Sequence, residues 1–256
     1  MAKRNKPREG TSAKGITPRE GTSAKGNKNA RAIIERNGTP KTECARNDAP
    51  THEPGRKYIA IAGTIGAGKS SLVEFLTEKY GIEPFFEPND QNPYLEDFYA
   101  DMKRWSFQSQ IYFLAAKFRL HQQIDMHATS VVQDRTIWED AEIFAESLYQ
   151  QKMMEPRDYE TYRALYEAIH DQIRAPDLMI YLRCPVRTVR RRIAMRGRAM
   201  EADIPTAYLS RLHKLYEAWI ASYDLSPVLI IPTHKLDYLT DLVDQHDIIT
   251  KIEKYL

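Results

Sequence analysis

The stretch Gly63-Thr64-Ile65-Gly66-Ala67-Gly68-Lys69-Ser70-Ser71 sets a glycine, four residues, then Gly-Lys-Ser. In a loop of this spacing, backbone N–H groups wrap a phosphate chain, the lysine reaches its outer phosphates and the Ser70 hydroxyl ligates magnesium. A held phosphate becomes chemistry only with a base, an acceptor and further cations. Glu87 follows two phenylalanines and precedes Pro88, which suits a general base for an accepting hydroxyl at a strand end. Asp134 closes the run "SVVQD" and can hold magnesium through water, with Arg135 beside it to steady the base or the transferring phosphoryl group. Further on, "RTVRRRIAMRGRAME" is densely basic. Arg192 and Arg196 share a helix face, and Arg198 follows Gly197, so three guanidinium groups can converge on phosphates as a lid. Gln110 and Lys117, seven apart on one helix face, sit among aromatics able to sandwich a planar ring, and a glutamine amide matches a nucleobase edge.

The elements that position these residues follow from hydrophobic patterning. "YIAIAG" reads as a buried strand entering the loop and "SSLVEFLTEKY" as an amphipathic helix leaving it, so a helix N-terminus points at the anion. Apolar runs recur at Ile82 to Glu87, Ser130 to Asp134, Asp177 to Arg183 and Pro227 to Pro232, separated by longer helical patterns. Continuous apolar strands alternating with helices predict an α/β fold of the P-loop kinase type, a parallel sheet flanked by helices with the arginine-rich lid above it. Ligands of such sheets bind beyond the carboxyl ends of the strands, where Glu87, Asp134, Arg135 and Arg183 fall. Trp105, Phe107, Tyr112, Phe113 and Phe118 read mostly as core.

Composition divides the 256 residues in two. Residues 1–56 are poor in large apolar side chains and carry "PREGTSAKG" twice, at Pro7 to Gly15 and Pro18 to Gly26, an 11-residue repeat. Such a segment buries too little apolar surface to offset the entropy of ordering it, so a disordered tail is expected before a catalytic domain at 57–256. The tail has 13 Lys and Arg against 6 Asp and Glu, leaving 24 against 29 for the remainder, so the formal net charge of +2 conceals a basic tail on an acidic domain. With glutamates interspersed and no aromatic residues to stack on bases, contact of the tail with nucleic acid is possible but not favoured. No apolar run approaches the roughly 20 residues of a membrane span, and two cysteines provide neither a disulfide framework nor a metal cluster. A cytoplasmic location is expected.

The segments "GTIGAGKSS", "FFEP", "NPYLEDFYADMKRWSFQSQIYFLAAKFR", "VQDRTIWEDAEIFA" and "RIAMRGRAMEADIPTAYLSRLHKLYEAW" together resemble the deoxyribonucleoside kinases, most of all the bacterial deoxyadenosine/deoxycytidine kinase branch, over approximately Lys57 to Tyr223. The resemblance implies that ATP with Mg²⁺ phosphorylates the 5′-hydroxyl of a deoxynucleoside, most naturally deoxyadenosine, in a homodimeric enzyme of nucleotide salvage. It implies that Glu87 takes the hydroxyl proton with Arg135 in support, and that Tyr99 and Glu201 bind the sugar 3′-hydroxyl. It implies further that Gln110 and Asp140 read the base, that Phe144 stacks on it, and that Arg192, Arg196 and Arg198 form the lid. Lys117 stands where many relatives have arginine, and Thr136 replaces the usual serine. Three other readings stay open on the sequence: a nucleoside monophosphate kinase of the same fold, a nucleotide-binding protein that has lost the reaction, and a nucleic-acid-binding regulator acting through its tail.

Overall fold

A computed structural model describes residues 55–198, 201–234 and 241–255. The repeat-bearing segment 1–54 lies outside the described residues. Arg56, grouped with the tail on composition, is 8% exposed and donates to the carbonyls of Ile124 and Thr129, so it packs with the domain that follows.

Five strands, β1 (Tyr58–Ala62), β2 (Glu83–Phe85), β3 (Val131–Asp134), β4 (Leu178–Arg183) and β5 (Val228–Pro232), form one sheet in the order β2-β3-β1-β4-β5 with parallel pairing throughout. All five residues of β1 are buried, as are all four of β3, because helices cover both faces. The four later apolar runs read from the sequence coincide with β2 to β5, though each strand is shorter than its run. β2 ends at Phe85, leaving Glu87 two residues past it.

Between the strands run α1 (Lys69–Tyr80), α2 (Leu95–Ala100), α3 (Met102–Met126), α4 (Ile137–Glu139), a π-helical segment (Asp140–Ala145), α5 (Glu146–Gln150), α6 (Pro156–His170), α7 (Val186–Arg196) and α8 (Thr206–Ser222), and α9 (Leu242–Ile252) follows β5. Helix α3 is capped by Asp101, whose carboxylate accepts from Arg104 N. Its buried positions include Ser106, Ser109, Gln110, Phe113, Leu114, Lys117, His121 and Ile124. Those three- and four-residue steps trace one face of a helix, and here that face is unusually polar. Of the five aromatics read as mostly core on this stretch, Phe113 is buried, while Trp105, Phe107, Tyr112 and Phe118 are half-buried. No helix among the described residues is long and apolar enough to cross a membrane.

Candidate active site

The Gly63–Ser71 loop leaves β1 and folds back against β4 and α7. Gly63 has φ +153°, and a Cβ there would meet Leu182 O at 3.1 Å and Ala67 Cβ at 3.2 Å; at Gly66, φ +72°, it would meet Ile193 Cγ1 at 3.2 Å. Both positions therefore demand glycine. The loop delivers Lys69 and Ser70 to the N-terminus of α1, where unsatisfied N–H groups favour an anion. Lys69 Nζ donates to Thr64 O at 3.3 Å and lies 3.9 Å from Asp134 Oδ1, while Ser70 Oγ donates to Asp134 Oδ2 at 2.6 Å. Burial, with the charge of Arg135, lowers the Lys69 ammonium to about 8.

A cavity of about 350 Å³ opens from this loop. Ile65, Gly66, Lys69 and Ser70 line one end, Tyr99, Gln110, Asp140 and Phe144 line the other, and Glu87, Asp134 and Arg135 stand between. Gly63, Thr64, Ala67, Gly68 and Ser71 shape the loop without lining the cavity.

Glu87 is held by three side chains. Lys117 Nζ donates to its Oε1 at 3.0 Å, Asn89 Nδ2 donates to its Oε2 at 3.0 Å, and Arg135 Nε forms an ion pair with Oε2 at 3.1 Å. Burial alone would raise its pKa, but Arg135, Lys117 and Lys69 outweigh burial and hold the carboxyl at about 2. Arg135 follows β3 in the left-handed region at φ +62°, with its N–H bonded to Ile61 O at 3.1 Å. A non-glycine residue in that region costs about 1–3 kcal/mol. The turn brings its guanidinium to Glu87 and over the Phe144 ring, 4.4 Å from the centroid.

Lys117 is fully buried behind this layer, and its Nζ also donates to Asp140 Oδ1 at 2.8 Å. The ammonium stays charged, since the two carboxylates outweigh its burial. The lysine does not depress Asp140, as its partnership would suggest. Burial dominates and, with the like charge of Glu87, raises Asp140 to about 6 in spite of Lys117. The π segment widens the helical turn, and both Asp140 and Phe144 line the cavity from it; π-helical turns are frequent at functional sites. Two acceptors here, Gln110 Oε1 and Asp140 Oδ2, are buried without a hydrogen-bond partner.

The basic segment is arranged differently from the expected convergence of three arginines. Arg196 and Arg198 line the cavity, but both pair with Glu201, Arg196 in close contact and Arg198 at 3.7 Å. Arg192 does not line it: its guanidinium donates to Ala67 O at 2.7 Å and Thr233 O at 2.9 Å, bracing α7 against the loop. Shared helix face told only that Arg192 and Arg196 lie on one side; burial of Val189 and Ile193 sets how that side is turned. Arg183 points away, pairing with Glu217 at 2.8 Å on the surface.

Three participants escaped the sequence reading. Asn89 on Glu87 is one. The others are Glu139 and Tyr216, fully buried beneath the loop. Thr136-x-x-Glu139 is a capping box, so the sequence did hold a signal for Glu139. Tyr216 carries no such mark.

The family described as deoxynucleoside kinase matches residues 59–256. The deoxyadenosine/deoxycytidine kinase of Bacillus subtilis (strain 168) is 39% identical over 203 residues, covering 78% of this chain and 94% of that one. A solved structure of deoxyadenosine kinase from M. mycoides, with products dCMP and a flexible dCDP bound, is similar with a TM-score of 0.70 and 34% identity over 77% of this chain and 99% of that one. A second structure of the M. mycoides enzyme, with bound dATP, gives a TM-score of 0.68 at the same identity and coverage.

Proposed function

From the premise that this chain belongs to the deoxynucleoside kinase family, we propose that it transfers the γ-phosphoryl group of ATP to the 5′-hydroxyl of deoxyadenosine, with deoxycytidine and deoxyguanosine as secondary acceptors. The observation that carries this reading is the pair of unpartnered buried acceptors, Gln110 Oε1 and Asp140 Oδ2, at the far end of a cavity that begins at Lys69 and Ser70. The exocyclic amine of adenine or cytosine supplies the donors that such acceptors need. Thymine offers a carbonyl oxygen instead, leaving polar groups unpaired at a cost of about 1–3 kcal/mol.

In this reading the 5′-oxygen attacks the γ-phosphorus, the bond from that phosphorus to the bridging β,γ-oxygen breaks, and ADP leaves. The hydroxyl proton passes to Glu87. A carboxylate held at about 2 is a weak base in the free protein. Weak basicity suits a loose transition state in which little bonding to the nucleophile has developed and its proton departs late. An arriving triphosphate also draws on Lys69 and Arg135, two of the charges that depress Glu87, and so strengthens the base. Lys69 and Arg135 then face the charge spreading over the transferring group.

Magnesium fits the donors between loop and β3. Ser70 Oγ and the Asp134 carboxylate are hard oxygen ligands in direct contact, and Asp134 Oδ1 is buried without a hydrogen-bond partner. Held by Ser70 and Asp134, the ion would supply positive charge against that of the phosphate chain. Tyr99 and Glu201 both line the cavity, and the Glu201 charge acts on the Tyr99 hydroxyl, which supports the sugar-binding role implied by the family resemblance. That resemblance also extends the reading to a cytoplasmic homodimer.

The test is ADP release with each of the four deoxynucleosides at saturating ATP and magnesium. Deoxyadenosine is expected to give the highest kcat/KM and thymidine the lowest, by tenfold to a hundredfold or more, about the cost of one unpaired polar group. A preference for thymidine overturns the assignment of the base pocket.

A further inference from the structure

We infer that Glu139 and Tyr216 are a positioning pair that fixes the start of the phosphate loop relative to the catalytic base. Neither side chain lines the cavity, and both are fully buried. Yet the two bracket a single residue of the loop. Gly63 N–H donates to Glu139 Oε1 at 3.2 Å, and the Tyr216 hydroxyl lies 2.8 Å from that same oxygen and 3.0 Å from Gly63 O. The opposite carboxylate oxygen of Glu139 accepts from Thr136 N at 2.8 Å and Thr136 Oγ1 at 3.1 Å, which anchors the bracket in the turn after Arg135.

The chemistry of this arrangement argues for a purpose beyond packing. A carboxylate with no exposure is costly to bury, and an apolar side chain would fill the space at less expense in solvation. Its four contacts all come from hydrogen-bond donors, none of them a cation. In such a loop backbone N–H groups are expected to serve phosphate, whereas that of Gly63 is turned inward to a buried side chain. Gly63 O is also the acceptor for Arg135 Nη2 at 3.5 Å, and Arg135 is the ion-pair partner of Glu87. Gly63, through the peptide groups on either side of its Cα, therefore joins the donor-side loop, the arginine and, through it, the base. Displacing it moves the γ-phosphorus and the proton acceptor relative to each other.

This inference rests on the kinase reading above, and the experiment separates the two. Glu139→Gln cannot satisfy both donor groups, because one end of an amide is itself a donor. Tyr216→Phe removes only the hydroxyl and keeps the ring that stacks on Tyr181 at 5.8 Å, so it remains informative where the first variant fails to fold. Each variant is compared with the wild type for kcat, for KM of deoxyadenosine and, independently of turnover, for affinity toward fluorescently labelled ADP, all at temperatures below unfolding. Expected in Tyr216→Phe are a kcat loss of about tenfold to a hundredfold, as for a reacting group misplaced by an ångström or less, severalfold weaker ADP binding and a KM for deoxyadenosine within about twofold. A folded Glu139→Gln should behave alike, and the double variant should lose little more than either single one. Unchanged kcat or unchanged ADP affinity in folded Tyr216→Phe overturns the inference. A wild type that turns over no deoxynucleoside overturns the kinase reading instead, and the ADP measurement still decides the role of the pair.

Discussion

Lys117 reaches across 30 positions of sequence to set its ammonium 3.0 Å from the carboxylate of Glu87. The same nitrogen holds Asp140, so one buried cation joins Asp140 to Glu87. Arginine at this position would offer a planar fork, whereas lysine offers a compact point charge that both carboxylates share.

Removing that charge should destabilise the fold unless a partner leaves with it. Lys117→Met strands Asp140 and weakens the hold on Glu87, and breaking a buried pair costs about 3–5 kcal/mol. A fall in Tm on the order of 10 °C is expected for a domain of this size. The double variant Lys117→Met/Asp140→Ala removes one stranded carboxylate and should melt above the single variant, while gaining thymidine turnover relative to deoxyadenosine. Additive loss of Tm in the double variant, or a ratio that moves away from thymidine, would contradict the shared-cation account.

Glu87→Gln tests the base itself. The amide can still accept the substrate hydroxyl but cannot take its proton, so kcat should drop by about 10²- to 10⁴-fold with modest change in deoxyadenosine KM. A rise confined to KM would make Glu87 a binding residue.

The pH profile should carry two limbs in kcat/KM, which reports on the free enzyme. Below about 6, Asp140 takes a proton and ceases to accept from the base amine, so kcat/KM for deoxyadenosine falls as pH falls. Above about 8, Lys69 loses its proton and its attraction for phosphate, so kcat/KM for ATP falls as pH rises. Bound triphosphate favours the charged lysine, and kcat at saturating ATP should therefore persist to higher pH. Profiles flat from pH 5 to 9 would remove both assignments.

Much of the fold is legible in the sequence because its signals are local. The phosphate loop is a contiguous motif, and buried parallel strands announce themselves as apolar runs; the strand order follows only once the chain is folded. The site divides along the same line. Spacing on α3 put Gln110 and Lys117 on one inward face, and the structure bears that placement out. The contact of Lys117 with Glu87 joins a helix to a strand-end loop, and no local pattern encodes it. Arg192 illustrates the opposite case, where a clear basic pattern predicts a helix face correctly but not the carbonyls that this face meets. Glu139 was visible as a cap, yet its second task depends on Tyr216, 77 positions later.

We propose that residues 1–55 contribute nothing to catalysis, on the strength of their composition. Deleting them should leave kcat and Tm nearly unchanged. Arg56→Ala in the full chain should lower Tm by several degrees, since hydrogen bonds from a charged group contribute about 1.5–3 kcal/mol each. A large loss of activity on deletion would mean that the tail reaches the site.

The most direct measurement follows the phosphorus atom. With ATP and magnesium, deoxyadenosine should yield equimolar ADP and deoxyadenosine 5′-monophosphate by ³¹P NMR, while 2′,5′-dideoxyadenosine, which lacks the accepting hydroxyl, and deoxyadenosine monophosphate should yield no phosphorylated product. Phosphorylation of the monophosphate in place of the nucleoside, or no product from any deoxynucleoside, would contradict transfer to the 5′-hydroxyl.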